Sequence, residues 1–389
     1  MAKERKDRLE EVQKEAYLAW IKAGYRGTIN VATGVGKTFI AFKCLYKALK
    51  AGKVTGRPKV IFYAETDVRK MTLDEEAAKF NTIYGLDINK DFEMSFVCYQ
   101  AAKELDADIK ILDEIHFIGE KLAKQFEKEK ALIIGLTATT SESTIVNEQT
   151  GLTKEDIINQ IAPVCFRYTL EQGIDEGILS PYVTTLVPHE LDNTERYLKP
   201  NQRSKILVTE KAYYDTKNIV KNLPSTNEFM RKTLGRQMAK LLWQCRSKAE
   251  TVKNLLTKLE GKTIIFGVEL DLLHEITENV VSGRQSEEEN TKLIESFNCG
   301  DISIIASSKK LKQGITLEGV TNCILVSYYG TSTDFIQKLG RIVRFVPNKV
   351  ASLYILVTKG TFEETWMQKM TIVRDSKGRV LYDVELNVM

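Results

Sequence analysis

One loop, Val31-Ala-Thr-Gly-Val-Gly-Lys-Thr38, limits what this chain can fold into more than any other stretch. A short β-branched run, Gly27-Thr-Ile-Asn-Val31, precedes it. An apolar segment at helical spacing, Phe39-Ile-Ala-Phe-Lys-Cys-Leu-Tyr-Lys-Ala-Leu49, follows it. Strand, glycine-rich loop and helix is the arrangement that a triphosphate requires. Gly34 and Gly36 let backbone N–H groups turn inward, and the helix N-terminus adds a favourable dipole for anionic oxygens. Thr33, Gly34, Val35 and Gly36 are therefore the expected phosphate cradle. Lys37 is the expected cation for the β- and γ-phosphates, and Thr38 the hydroxyl ligand of Mg²⁺. The strict pattern has Gly six residues before the Lys, where this chain has Val31.

Around the loop, strand-like and helical runs alternate. Residues from about 8 to 24 carry a rough apolar helical face, and 67–84 reads as a second helix. Lys59-Val-Ile-Phe-Tyr-Ala64 is a continuous apolar run suited to a strand buried on both faces. Met94–Cys98, Ile109–Asp113 and Leu132–Thr137 are further strands, each ending in polar residues where a parallel sheet places its ligands. The segment from about 190 to 260 breaks this rhythm. It is polar, carries Pro200 and Pro224, and then runs helical from about Asn227 to Leu259. After Gly261 the alternation resumes, with strands at 262–267, 302–306, 322–327 and 353–357. The reading is α/β, with two parallel-sheet units, 1–180 and 181–389. Only the first carries the loop, so a nucleotide is expected in the cleft between them.

Composition excludes several other classes. A chain of 389 residues is long enough for two cores, and 43% hydrophobic with 28% charged residues reads as soluble and globular. No run of about 18 apolar residues exists, so no membrane span is expected. The basic N-terminus lacks the apolar stretch of a signal peptide. The six cysteines are scattered with no C-x-x-C pair, as in a cytoplasmic protein with reduced thiols. A net charge of +4 permits a local basic track without demanding one.

Three further stretches carry chemistry. Asp113-Glu-Ile-His116 follows a hydrophobic strand, where Asp113 would hold Mg²⁺ opposite Thr38 and Glu114 would orient and deprotonate a water. A solvated acidic strand end is the alternative. Thr137-Ala-Thr139 ends the next strand, where hydroxyls would relay the nucleotide state. Gln337-Lys-Leu-Gly-Arg-Ile-Val-Arg344 sets Arg341 and Arg344 three apart, on one face of a helix. Their forked guanidiniums suit phosphate oxygens and would act as arginine fingers from the second unit. The alternative is a basic surface helix, but Gly340 within it costs about 1 kcal/mol relative to Ala.

Taken in order, these stretches resemble the superfamily 2 DExH helicases over nearly the whole chain. Within them the chain is most similar to the branch of phage UvsW-type branch-migration helicases, XPB-like helicases and type I and III restriction motors. Phe166–Tyr182 resembles that branch's interdomain passage, and Ser307–Thr316 its motif V. The resemblance implies two tandem RecA-like domains, with a helical entry segment at about 190–260 and motifs IV, V and VI in the second. It implies that Gln13 reads the adenine edge, and that Thr66, Arg69, Tyr99 and Gln100 touch the nucleic-acid backbone. Gly267 falls in motif IV. Ser308, Lys309 and Gly314 fall in motif V, near the tracked strand and the ATP cleft. His116 and Gln337 would couple the two.

Some positions depart from the pattern. Thr316 stands where many relatives have Asp, Lys338 where Arg is frequent, and Ala64-Glu-Thr66 lacks the usual Pro. The implied activity is an ATP- and Mg²⁺-dependent motor, a monomeric core acting on single-stranded, forked or branched DNA. An RNA helicase and a duplex-DNA translocase of a restriction-type complex are the alternatives.

Overall fold

Uninterrupted apolar runs become central strands here because both faces of each sheet are covered. The computed structural model describes residues 2–388 except 66–67, 102–104, 128–129, 139–144, 148–151, 192–193, 198–204, 209, 225–226, 309–316, 328–338, 341, 347–348, 375–379 and 384–385. Thr66, Thr139, Lys309, Gly314, Gln337 and Arg341 lie outside the described residues.

The first sheet comprises β1 (Arg26–Val31), β2 (Lys59–Ala64), β3 (Glu93–Cys98), β4 (Ile109–Leu112), β5 (Leu132–Thr137) and β6 (Val164–Tyr168). It is parallel throughout, in the order β3-β2-β4-β5-β1-β6. All of β4 is buried, as is β2 after its first residue. Three helices matter for the site: α1 (Ala2–Lys22), α2 (Lys37–Lys50) and α3 (Val68–Tyr84). Val12, Ala16 and Trp20, four apart on α1, are fully buried, and the Trp20 indole N–H donates to the Ile133 carbonyl at 2.7 Å. The helix begins six residues before its apolar face because distant groups hold its first turns. Arg5 Nε donates to the Ile178 carbonyl at 3.1 Å, and Arg8 bonds Glu176 at 2.8 Å.

The second sheet contains β7 (Tyr182–His189), β8 (Lys262–Phe266), β9 (Val280–Val281), β10 (Ile304–Ser307), β11 (Val320–Leu325), β12 (Ala351–Thr358) and β13 (Leu386–Val388). Its order is β9-β10-β8-β11-β12-β7-β13, again all parallel. The expected strands are present. Four were not anticipated: β6, inside the stretch read as a passage, the short β9 and β13, and β7, which pairs with β12 from Tyr182↔Ala351 to His189↔Thr358. The helical run expected over 227–259 is two helices, Glu228–Trp243 and Ser247–Leu256. A further helix, Glu210–Asn222, and a strand pair, Thr194–Tyr197 with Lys205–Val208, precede them. No helix among the described residues is long and apolar enough to cross a membrane.

A buried polar cluster ties that insert to the second sheet. Lys248 Nζ donates to Glu363 Oε1 at 2.7 Å, and both side chains are fully buried. The Thr358 hydroxyl donates to Glu363 Oε2 at 2.6 Å and so accepts from His189 Nε2, also at 2.6 Å. Removing one partner leaves an uncompensated buried charge. Lys248→Ala is therefore expected to destabilise the second unit by about 3–5 kcal/mol, read as a lower urea midpoint.

Candidate functional site

β1 delivers the loop, and β4 delivers Asp113, to the same carboxyl edge of the first sheet. Gly34 and Gly36 have φ values of +93° and +89°, a left-handed backbone that glycine adopts without a steric penalty. α2 starts at Lys37, and its N-cap, Gly36, has no side chain to occupy the first-turn N–H groups, which are suited to an anion. The loop has the shape of a phosphate cradle.

Glu114 holds φ at +49°, uncommon for a residue with a side chain. The turn sets its carboxylate between two bases. Lys37 Nζ is ion-paired with Oε1, and His116 Nδ1 lies 3.4 Å from Oε2. Burial acts to raise the Glu114 carboxyl, but Lys37 foremost and then His116 outweigh it and hold it below the usual carboxylate range. His116 Nδ1 also lies 3.0 Å from the fully buried Thr137 Oγ1. The structure thus joins His116 and Thr137, two residues expected to couple the cleft to its surroundings.

Three residues are placed differently from expectation. Arg69, assigned to the nucleic-acid backbone, is 6% exposed beside the loop. Its Nε donates to Asp113 Oδ2 at 2.8 Å, and its Nη2 donates to Thr38 Oγ1 at 2.7 Å and Glu76 Oε2 at 2.9 Å. Burial opposes its charge, but Asp113 and Glu76 more than compensate. Tyr99, also assigned to the backbone, turns inward. Its hydroxyl donates to the Asp113 carbonyl at 2.8 Å, and its ring stacks on Tyr63. Gln13 is buried with both ends of its amide engaged. Nε2 donates to the Val35 carbonyl at 2.9 Å, and Oε1 accepts from Lys43 at 2.8 Å. In this conformation it braces the loop. Gln100 is exposed. Gly267 is buried at the end of β8, and Ser308 half-buried after β10.

The second unit reaches the loop through residues 339–340 and 342–346. The Ser180 N–H donates to the Val343 carbonyl at 2.8 Å, and its hydroxyl donates to the Arg344 carbonyl and accepts from the Val346 N–H. Arg5 stacks over Phe345 at 4.3 Å. Gly340 lies so close to the loop that a Cβ on it would fall 1.7 Å from Thr33 Oγ1. Arg344 Cγ lies 3.9 Å from where a Cβ on Gly34 would sit. Arg344 follows the helical turn and is not on it, so the shared helix face expected with Arg341 does not describe it. Burial pushes its guanidinium down, with Glu76 and Glu318 acting in the opposite sense. Spacing gave no signal for Arg5, Glu76 or Ser180, because each acts through a partner distant in sequence.

Lys349 closes this segment by donating to the Ile342 and Arg344 carbonyls. Burial lowers its ammonium from 10.5 to about 8. The folded value lies below the unfolded one, so from about pH 8 to 10.5 the unfolded chain binds the extra proton and stability rises with pH. The melting temperature of the wild type should therefore gain on that of Lys349→Met across this window. A constant difference between the two would contradict the assignment.

Residues 6–142 match the family described as type III restriction enzyme, res subunit, and residues 247–346 match the helicase conserved C-terminal domain. A DNA 3'-5' translocase XPB2 from Sulfurisphaera tokodaii is 25% identical over 391 residues, covering 92% of this chain and 83% of that one. A type I restriction enzyme EcoAI endonuclease subunit from Escherichia coli is 24% identical over 190 residues, or 43% of this chain and 22% of its own length. A fragment of a putative HsdR subunit of a type I restriction enzyme from Vibrio vulnificus superposes with a TM-score of 0.60 at 20% identity. That match covers 97% of this chain and 68% of the other. The Hef helicase domain of Pyrococcus furiosus gives 0.51 at 14% identity, covering 92% and 96%.

With a helicase-type match on each parallel sheet, the fold is that of two tandem RecA-like domains, and the class is an ATP-hydrolysing nucleic-acid motor. The chain is similar to helicases over both sheets, with relatives among XPB-type translocases and type I restriction enzymes.

Proposed function

We propose that this chain is an ATP-driven DNA helicase or translocase acting on forked or branched DNA. The observation that carries the reading is the meeting of Lys37, Thr38, Asp113 and Glu114 with the Arg344 segment of the second unit at one sheet edge. Units bounded near residue 180 would then open and close around the nucleotide.

Thr38 and Asp113 would hold Mg²⁺, which when bound neutralises phosphate oxygens. They fit it because their buried oxygens are already bridged by a cation, the Arg69 guanidinium. Phosphates entering the cradle take Lys37 from Glu114. The freed carboxylate accepts a proton from the attacking water. Arg344, with Arg341, reaches the γ-phosphate from the second unit and makes hydrolysis depend on closure. Each cycle shifts one unit's grip on a phosphate backbone, through Gln100, Ser308 and Lys309 among others. Such contacts give little sequence preference and steep salt dependence.

A duplex-DNA translocase is the second reading, favoured by a relative named as a translocase and by relatives named as restriction enzymes. Two assays separate the readings, strand separation of a labelled fork and displacement of a third strand from duplex DNA. Fork separation supports the first reading. Triplex displacement alone replaces it with the second.

A further inference from the structure

Arg69 enters the nucleotide site from α3, outside both the loop and the acidic strand end. Its guanidinium bridges Thr38 Oγ1 at 2.7 Å and Asp113 Oδ2 at 2.8 Å, the two oxygens proposed above as ligands of Mg²⁺. Thr38 is 5% exposed and Asp113 6% exposed, so little room remains beside them for a second cation. The arginine stands on the first turn of α3, the helix that follows β2 in the chain. It has a further partner outside the pair. Glu76, two turns along α3 and 36% exposed, accepts from Nη2 at 2.9 Å. A guanidinium leaving Asp113 and Thr38 can therefore keep one carboxylate.

We propose that Arg69 is a resident counter-cation of the nucleotide site, which the divalent metal displaces onto Glu76, so that metal loading resets the first turn of α3. The inference rests on the nucleotide-site reading. Two consequences follow from charge alone. Without metal, Arg69 supplies the positive charge that the phosphates need, so nucleotide binds with little help from Mg²⁺. With metal, the bonds from Arg69 to Asp113 and Thr38 must break, which weakens binding of the loaded nucleotide.

The test is the affinity of the full chain for a fluorescent ADP analogue, in EDTA and in saturating Mg²⁺, for wild type, Arg69→Gln and Arg69→Lys. In Arg69→Gln, binding should weaken in EDTA and tighten in Mg²⁺. The ratio of the two dissociation constants should then rise at least about tenfold, the order expected of charge-assisted bonds. Arg69→Lys keeps the charge but loses the fork, and should fall between. A merely structural Arg69 would move both constants the same way and leave the ratio unchanged, which would overturn the proposal. In wild type, amide hydrogen exchange over residues 68–76 should quicken when Mg²⁺ and ADP are added together but not with ADP in EDTA. Equal exchange in both would overturn the displacement. Failure of wild type to bind the analogue at all would instead overturn the nucleotide-site reading.

Discussion

Glu114→Gln is expected to lower nucleic-acid-stimulated ATP turnover by about 10²- to 10⁴-fold, the usual contribution of a positioned general base. Nucleotide affinity should not fall with it. In the structure the Glu114 carboxylate holds Lys37, and phosphates must compete for that ammonium. A neutral amide competes less, so the variant should bind ATP as tightly as the wild type or more tightly. The two readouts separate a catalytic role from a structural one. A merely structural Glu114, kept at φ +49° to close a turn, would weaken binding and turnover together. Unchanged turnover would remove the residue from the mechanism. Lowering the pH acts on the same group. Its folded value is depressed, so the stability it contributes is present above the ordinary carboxylate range and is lost as pH falls through and below it.

Gly340→Ala is the second large effect, and helix propensity predicts the opposite sign. Alanine is favoured over glycine in a helix by about 1 kcal/mol. Here the added Cβ would sit 1.7 Å from Thr33 Oγ1 and 2.5 Å from Thr33 Cβ. Rotating the short Thr33 side chain cannot relieve both contacts, so either the loop or the backbone at Gly340 must move. Displacement of reacting groups by about 1 Å can cost on the order of 10²-fold in rate, and turnover should fall by that order. Nucleotide affinity should change less, because the cradle belongs to the first unit. Pairing Gly340→Ala with Thr33→Ser, which trims the methyl but leaves Cβ and the hydroxyl, should recover little. Full activity in Gly340→Ala alone would mean that the two units do not meet this way during turnover.

Local chemistry made the fold, and the residues gathered at the heart of the candidate site, readable from the sequence. Lys37, Thr38, Asp113 and Glu114 sit at strand and helix ends, and spacing along the chain fixes such positions. The central strands were legible for a related reason, since runs such as Val60–Ala64 have one environment on both faces. What escaped was set by partners far away in sequence. β7 reads as a polar-flanked extension of a linker until β12 pairs with it. Arg69 and Tyr99 follow strands where exposure is the ordinary expectation, yet Asp113 draws both inward, one by its carboxylate and the other by its carbonyl. Gln13 is polar on an otherwise apolar helical face, and only the fold shows that Val35 and Lys43 use its amide. Gly340 was the converse case. Its cost in a helix marked it as unusual, and its contact with Thr33 supplies the reason.

The account stands most directly on steady-state ATP hydrolysis by the wild type and by Lys37→Ala, at one fixed salt concentration. The conditions are no nucleic acid, single-stranded DNA, duplex DNA, a synthetic four-way junction and structured RNA. The account predicts low basal turnover, strongest stimulation by the junction, and no stimulated turnover in Lys37→Ala. Strongest stimulation by RNA would contradict the assigned substrate, and undiminished turnover in Lys37→Ala would contradict the motor itself.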